Sequence, residues 1–151
     1  MQFRRCLPLV ALLALASCAA PAFHPLVAGH DALRTLVGRA APAGWASDHF
    51  DDGGWARARR VRLERVGDKV FARSRFDAGP RYAGYRTVAL LLSAGAFVAY
   101  LNGARLDGGA HGSATLSLPR GLLRASGNVL AIEVAPADVG AIRLRPELRP
   151  L

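Results

Sequence analysis

Polar and apolar side chains alternate along several short runs of this chain, which is the pattern of half-buried β-strands. The pattern is clear in residues 61–65. Residues 70–76 predict a second strand, in which the period of two places Phe71, Arg73 and Arg75 on one face and Val70, Ala72, Ser74 and Phe76 on the other. Both runs therefore predict a strand with one face directed to a core.

Other runs predict strands by their apolar content. Residues 86–92 are nearly all apolar, as expected for a strand at the centre of a sheet, and residues 129–134 form a second apolar run. Residues 114–118 predict a further short strand. Residues 142–148 predict a last edge strand that Pro146 interrupts.

Turn-forming residues separate these runs at steady intervals, which is typical of an all-β sandwich. Two segments are less regular. Residues 33–37 predict a brief helix that Asp31 caps and Gly38 ends, with a strand as the alternative. The glycine-rich residues 107–113 predict a loop.

The strongest local signal is a hairpin within residues 96–106. An apolar run leads into Asn102-Gly103, and a short strand-like run follows. Asn and Gly tolerate the positive φ angles of a type I′ turn, so Asn102 is interpreted as a turn-forming residue and not as a ligand residue. The period of two places Phe97 and Tyr100 on opposite faces, so at least one of these rings should be in the core.

The first residues of the chain predict an export signal. A short cationic start precedes an apolar run at residues 6–16, about half of the ~20 residues that a membrane-spanning helix needs. The run ends in Leu-Ala-Ser-Cys at Cys18, which resembles the lipobox of bacterial lipoproteins. The resemblance implies a signal peptide over residues 1–17, lipidation of Cys18 and a lipidated tether over residues 18–30.

By the same resemblance, Ala19 after the cysteine favours the outer membrane, so the protein is expected in the bacterial cell envelope, attached by its lipid. Several acyl chains would give durable membrane attachment where one is marginal. The alternative is an ordinary signal peptide in which the cysteine is incidental.

Charge adds a constraint on partners. The chain has 20 Lys and Arg residues against 11 Asp and Glu, a formal net charge of +9, and all but one of the cations are arginine. This excess indicates either an anionic partner or a composition rich in Ala, Arg and Gly throughout. Nucleic acid is not expected as a partner of an exported protein, and no stacking motif accompanies the arginines of residues 57–75. We expect those arginines to lie on solvated faces.

Trp45 and Trp55 flank an acidic run at residues 48–54. One interpretation is a carbohydrate platform built from the indoles, or a calcium site built from the aspartates. The structural interpretation, which we favour, is that the indoles hold a long loop onto the core, since three aspartates are few ligands for calcium. His24 and His30 are interpreted as solvated side chains, and no metal or cofactor is expected.

Catalysis is not expected. Glycosidases need two facing carboxylates, and a hydrolytic triad needs a nucleophile, a base and an orienting group. The candidates, His49 in the acidic run and His111 beside Ser113, are scattered along the chain.

Four motifs, in order, resemble those of the galactose-binding-like jelly-roll domains that accompany bacterial glycoside hydrolases. They are Phe50-Asp51-Asp52 followed by Trp55, Phe71-Ala72-Arg73-Ser74-Arg75-Phe76, the hairpin of residues 96–106, and Gly127-Asn128-Val129-Leu130-Ala131. The resemblance covers residues 45–135. It implies a two-sheet antiparallel jelly-roll sandwich over residues 31–151, with the hairpin at the centre of one sheet. In that family the domain is accessory: it binds a glycan or packs against an enzyme.

The predicted function is that of a non-catalytic, lipid-anchored envelope protein that binds a carbohydrate or a protein partner. The candidate ligand-binding residues are Arg81, Tyr82 and Tyr85, which offer stacking faces and a charge. If residues 86–106 form a simple meander, this cluster lies at the same end as Asn102. Alternatively, the two tyrosines cover the open end of the core. The alternative function is a structural or assembly lipoprotein that binds another envelope protein and has no affinity for glycans.

The lipobox interpretation predicts that Cys18→Ser abolishes acyl labelling and membrane attachment, because the acceptor thiol is lost. Cys6→Ser is the matched control and should remain labelled and membrane-bound. Metabolic labelling with a fatty-acid probe, followed by membrane fractionation, measures both. A Cys18→Ser protein that still carries acyl chains would contradict the interpretation.

Overall fold

The computed structural model describes residue 26 and residues 33–92, 95–110 and 112–151. Eleven β-strands, and no helix, are found in this described part of the chain. The strands are β1 (Arg34–Gly38), β2 (Ala56–Arg57), β3 (Arg60–Leu63), β4 (Lys69–Phe76), β5 (Thr87–Leu91), β6 (Ala96–Leu101), β7 (Ala104–Gly109), β8 (Ser113–Ser117), β9 (Asn128–Ala135), β10 (Gly140–Arg143) and β11 (Glu147–Pro150). The interpretations of Cys18, His24, His30, Asp31 and His111 fall outside the described residues.

The strands form an antiparallel β-sandwich, as the sequence predicted. A six-stranded sheet has the order β2-β1-β4-β9-β6-β7, a three-stranded sheet has the order β11-β5-β8, and β10 pairs with β3. Every strand pair is antiparallel. No helix in the described ranges is long and apolar enough to cross a membrane.

Alternation along the strands builds one core. On β4, Val70 and Ala72 face it, and Leu90 of β5 and Ile132 of β9 join the same cluster of buried side chains. Phe97 is also in this cluster, whereas Tyr100 lies on the opposite face of β6 and packs against Trp45. The predicted division of these two rings between the faces is therefore confirmed.

Residues 33–37 do not form a helix. They form the strand alternative, β1, which pairs with β4 over five residues from Arg34 to Gly38. Backbone pairing with a long central strand satisfies more hydrogen-bonding groups than a single helical turn could, and it overrides the local capping signal.

The hairpin lies at the edge of its sheet, and the prediction of a central position was wrong. β7 is the edge strand, and β4 and β9 occupy the centre. β5 does hold the predicted central position, in the three-stranded sheet between β11 and β8. The predicted last strand is in fact two strands, because β10 pairs with β3 while β11 pairs with β5.

The expected glycine-rich loop begins later than predicted, because residues 107–109 continue β7. A Cβ atom on Gly108 would lie 1.9 Å from the carbonyl oxygen of Phe97, and one on Gly109 would lie 2.5 Å from that of Ser113. Both distances are too short for any side chain. Glycine is therefore required here for close approach of strands and not for a turn.

Asn102 forms the predicted turn with Gly103, at φ angles of 51° and 86°. Its side chain does more than a turn requires. Oδ1 accepts a hydrogen bond from the Val129 backbone N–H at 2.8 Å, and Nδ2 donates to the Leu122 carbonyl at 2.7 Å and to Asn128 Oδ1 at 3.0 Å. The turn is thus fastened to the start of β9.

Two substitutions separate these roles of Asn102. Asn102→Gly keeps the positive φ but loses three side-chain hydrogen bonds, so the free energy of unfolding should fall by about 1–3 kcal/mol. Asn102→Ala loses the same bonds and must also adopt a left-handed backbone conformation, which should cost about 1–2 kcal/mol more. Urea unfolding measures both, and equal stability of the two variants would contradict the strain argument.

Candidate functional site

The loop of residues 45–55 covers part of the outer face of the six-stranded sheet. Trp45 packs edge-on against Phe71 of β4 and Tyr100 of β6, with ring centroids 5.2 and 5.4 Å apart. It also stacks on Trp55 at 6.2 Å, and Trp55 is only 8% exposed. The indoles therefore hold the loop against the sheet, as the structural interpretation proposed, and they do not form an open platform.

Arg73 is buried at the centre of this interface, with 1% of its surface exposed. The expectation that all the arginines of residues 57–75 lie on solvated faces was wrong for this residue. Its Nε donates to Asp52 Oδ2 at 2.8 Å. Its other donors reach backbone carbonyl oxygens of the loop, those of Trp45, Ser47 and Phe50. The outer face of β4 became an interior because the loop folds over it.

Asp52 balances this buried charge. Burial alone would raise the pKa of Asp52, but the hydrogen bond and charge of Arg73, with smaller contributions from Arg75 and Arg34, outweigh burial and hold that pKa below its ordinary value. Asp52 is therefore a charged structural partner, and a proton donor at this position is not expected near neutral pH.

Two more arginines hold the loop from its edges. Arg75 donates from Nη1 to the Asp48 carbonyl and from Nη2 to the Phe50 carbonyl, both at 3.1 Å. Arg34 of β1 donates from Nη1 to the Trp55 carbonyl at 3.2 Å and to the Gly53 carbonyl at 3.5 Å. Both side chains therefore have a defined position at the protein surface.

Between these side chains lies a recess of about 340 Å³, which we call the arginine recess. Its lining residues are Arg34, Asp52, Arg57, Arg73 and Arg75. Four arginines and one aspartate thus line the recess. The recess carries a net positive charge even though Arg73 and Asp52 neutralise each other.

The aspartates of the acidic run serve separate partners. Asp48 lies 2.7 Å from Arg124 Nη1, and this hydrogen bond is the main reason why the pKa of Asp48 is lowered. Asp51 accepts the Gly53 N–H at 2.8 Å in a local turn, and Asp52 binds Arg73. Among the described residues, no group of three or more His, Cys, Asp or Glu side chains has an arrangement that could hold a metal ion.

The predicted cluster of Arg81, Tyr82 and Tyr85 does assemble. The two tyrosine rings meet edge-to-face at 5.5 Å, and the Arg81 guanidinium lies 5.5 Å from the Tyr82 ring centre. Both tyrosines are partly buried against the core. A binding role for the cluster stays a prediction, and the rings have a packing role as well.

The cluster lies at the same end of the sandwich as Asn102. Gly84, within the cluster loop, donates its N–H to the Leu123 carbonyl, and Asn102 donates to the neighbouring Leu122 carbonyl. The cluster is thus at the predicted end of the sandwich. The meander on which that prediction rested is not formed, because β5 and β6 belong to different sheets.

Sequence reasoning did not identify Arg34 as a site residue. The signal was available in the strand alternative for residues 33–37. In that alternative the period of two places Arg34 and Leu36 on the face opposite to Thr35. That is the face on which Arg73 lies, since Arg34 is directly paired with Arg73 in the sheet.

No protein-family model matches the chain, and no curated protein matches it. Solved structures of Bacteroides uniformis β-glucuronidases match its fold. A calcium-binding mutant of β-glucuronidase 2 matches with a TM-score of 0.59 at 17% identity, over 79% of this chain and 17% of that chain. A crystal structure of B. uniformis β-glucuronidase, and β-glucuronidase 2 covalently bound to cyclophellitol-6-carboxylate aziridine, match with the same TM-score and coverage at 16% identity.

The chain therefore shares its fold with a segment that makes up 17% of those enzyme chains. The all-β sandwich implied by the sequence resemblance is confirmed.

The ion pair at the loop interface predicts a specific pH dependence. Asp52→Asn leaves the buried Arg73 charge without its counter-ion, so the free energy of unfolding at neutral pH should fall by about 3–5 kcal/mol. Because the folded-state pKa of Asp52 is lowered, its stabilisation is fully present above the ordinary aspartate pKa of 3.8 and is lost as the pH falls through the lower folded value. The difference in the free energy of unfolding between the parent protein and Asp52→Asn should therefore shrink as the pH falls below 3.8.

Asp48→Asn is the matched control, since Asp48 pairs with Arg124, which is half exposed. Its effect should be much smaller at every pH, because solvent screens exposed pairs. Chemical unfolding of the three proteins across the acidic range measures the difference. A constant gap between the parent protein and Asp52→Asn down to strongly acidic pH would contradict the assigned role.

Proposed function

We propose that this protein is a non-catalytic, lipid-anchored module of the bacterial cell envelope that binds a glycan, with Arg81, Tyr82 and Tyr85 as contact residues. The lipid anchor rests on the lipobox resemblance at Cys18, and the accessory role rests on fold. Solved structures of similar fold include β-glucuronidases, which act on carbohydrates, and this chain corresponds to a small segment of them.

The observation that carries the proposal is the assembled cluster itself. Two phenol rings and a guanidinium lie together in one loop at the end of the sandwich, and loops positioned by a rigid scaffold often carry binding residues. Aromatic rings contact the apolar faces of sugars, and an arginine donates hydrogen bonds to sugar oxygens.

The acidic residues support a binding role over a hydrolytic one. Glycoside hydrolysis needs one carboxyl group that holds a proton and a second that faces it across the substrate. Asp52 and Asp48 both have lowered pKa values, each bound to a different arginine. Both carboxylates are therefore suited to a structural role and not to proton donation.

The test is glycan-array binding of the parent protein and of Tyr82→Ala combined with Tyr85→Ala. We expect the double alanine variant to bind about tenfold more weakly or worse, since each ring contributes roughly 0.5–1.5 kcal/mol beyond its buried area. The matched control is Tyr82→Phe with Tyr85→Phe, which keeps the rings and their packing. It should retain most of the affinity and of the thermal stability.

Two results would overturn the proposal. Glycan binding that survives the double alanine substitution would exclude these residues as the site. A single protein partner captured by cross-linking in intact cells, with no glycan bound on the array, would favour the structural or assembly lipoprotein instead.

A further inference from the structure

We propose that the arginine recess binds the carboxylate of an acidic glycan, namely a chain that contains uronic acid residues. The inference rests on the proposed glycan-binding function and adds a second contact site and a ligand class to it. The recess lies on the outer face of the six-stranded sheet, beside the loop of residues 45–55.

The chemistry of the lining selects an anion. Arg34, Arg57 and Arg75 contribute three positive charges beyond the neutralised pair of Arg73 and Asp52. A guanidinium presents five N–H donors in a planar fork, and it pairs with a carboxylate through two parallel hydrogen bonds. Among the contacts of the described residues, Arg34 binds the loop through Nη1, and its guanidinium carries further donors on Nε and Nη2.

The recess is organised before any ligand arrives. The carbonyl oxygens of the loop fix Arg34 and Arg75, and the loop itself is fixed by the buried Arg73. Ordering of long side chains opposes binding, so positions that are already ordered in the free protein favour affinity and specificity.

The presence of Asp52 in the wall favours a sugar over a lipid headgroup layer. Its Oδ1 lies 3.7 Å from Arg75 Nη2, beyond direct hydrogen-bond distance, and therefore keeps acceptor capacity. A uronic acid has hydroxyl groups next to its carboxylate. The carboxylate can accept hydrogen bonds from the arginines while a hydroxyl group donates to Asp52. Attraction to an anionic bilayer needs a surface rich in positive charge and gains nothing from a carboxylate in a concave site.

The size and surroundings of the recess suit an oligosaccharide. Its volume of about 340 Å³ falls at the lower end of the ~300–1,000 Å³ of small-molecule sites. Arg75 also lines a second recess of about 340 Å³, together with Phe76, Asp77, Gly127 and Asn128. The two recesses are therefore neighbours that share Arg75.

The experiment measures binding of trigalacturonate, and of neutral galactotriose, to the full chain in a non-ionic detergent by isothermal titration calorimetry. The informative variant is Arg57→Gln, because Arg34, Arg73 and Arg75 hold the loop and Arg57 is not needed for those contacts. We expect trigalacturonate to bind about tenfold more weakly to this variant, as for the loss of one charge-assisted pair.

Arg105→Gln is the matched control. Arg105 is an exposed residue of β7, at the opposite edge of the same sheet from Arg57. Each variant replaces one arginine by glutamine, so the two variants have the same net charge. Its affinity for trigalacturonate should equal that of the parent protein. Equal losses in the two variants would show attraction by net charge alone and would overturn the site.

Two further outcomes separate this inference from the proposed function. If galactotriose binds as tightly as trigalacturonate and binding depends on Tyr82 and Tyr85, the module binds glycans but the recess assignment is wrong. If neither sugar binds, while vesicles of phosphatidylglycerol with phosphatidylcholine bind in an Arg57-dependent way, the recess faces a membrane and this inference is overturned, whereas the glycan array decides the proposed function.

Discussion

The buried guanidinium of Arg73 is the constraint on which the outer half of this structure depends. A charged group removed from water must be paired and fully hydrogen-bonded, or it destabilises the fold by several kcal/mol. Asp52 supplies the counter-charge, and carbonyl oxygens of the loop supply the other acceptors. The path of the loop over the sheet, the stacking of Trp45 on Trp55 and the walls of the arginine recess all follow from meeting these requirements.

The sequence was sufficient to predict strands but not their partners. Alternating patterns and continuous apolar runs are both local signals, so the runs that became β3, β4, β5 and β9 could be recognised one at a time. Sheet membership depends on residues far apart in the chain. β5 and β6 are consecutive strands, yet they belong to different sheets. The run predicted as one last strand contributes β10 to one sheet and β11 to another.

The candidate site shows the same limit. The two motifs that meet at the interface, Phe50-Asp51-Asp52 with Trp55 and the strand of residues 71–76, were both recognised, but as separate features of a resemblance. A period of two assigns Arg73 to a face without showing what covers that face, so a solvated position was the natural expectation. That face is interior only because the folded loop covers it. The loop residue that pairs with Arg73, Asp52, lies 21 positions earlier in the chain.

Arginine is suited to this interface in a way that lysine is not. Arg73 and Arg75 each donate from two or more nitrogens to different acceptors, which a planar fork with several N–H groups allows. Lys69, the single lysine of the chain, instead makes a point contact with Glu133. The excess of arginine over lysine therefore has a structural basis at this face of the molecule. Because the loop is held by arginines, the residues that stabilise this face also concentrate positive charge at its surface.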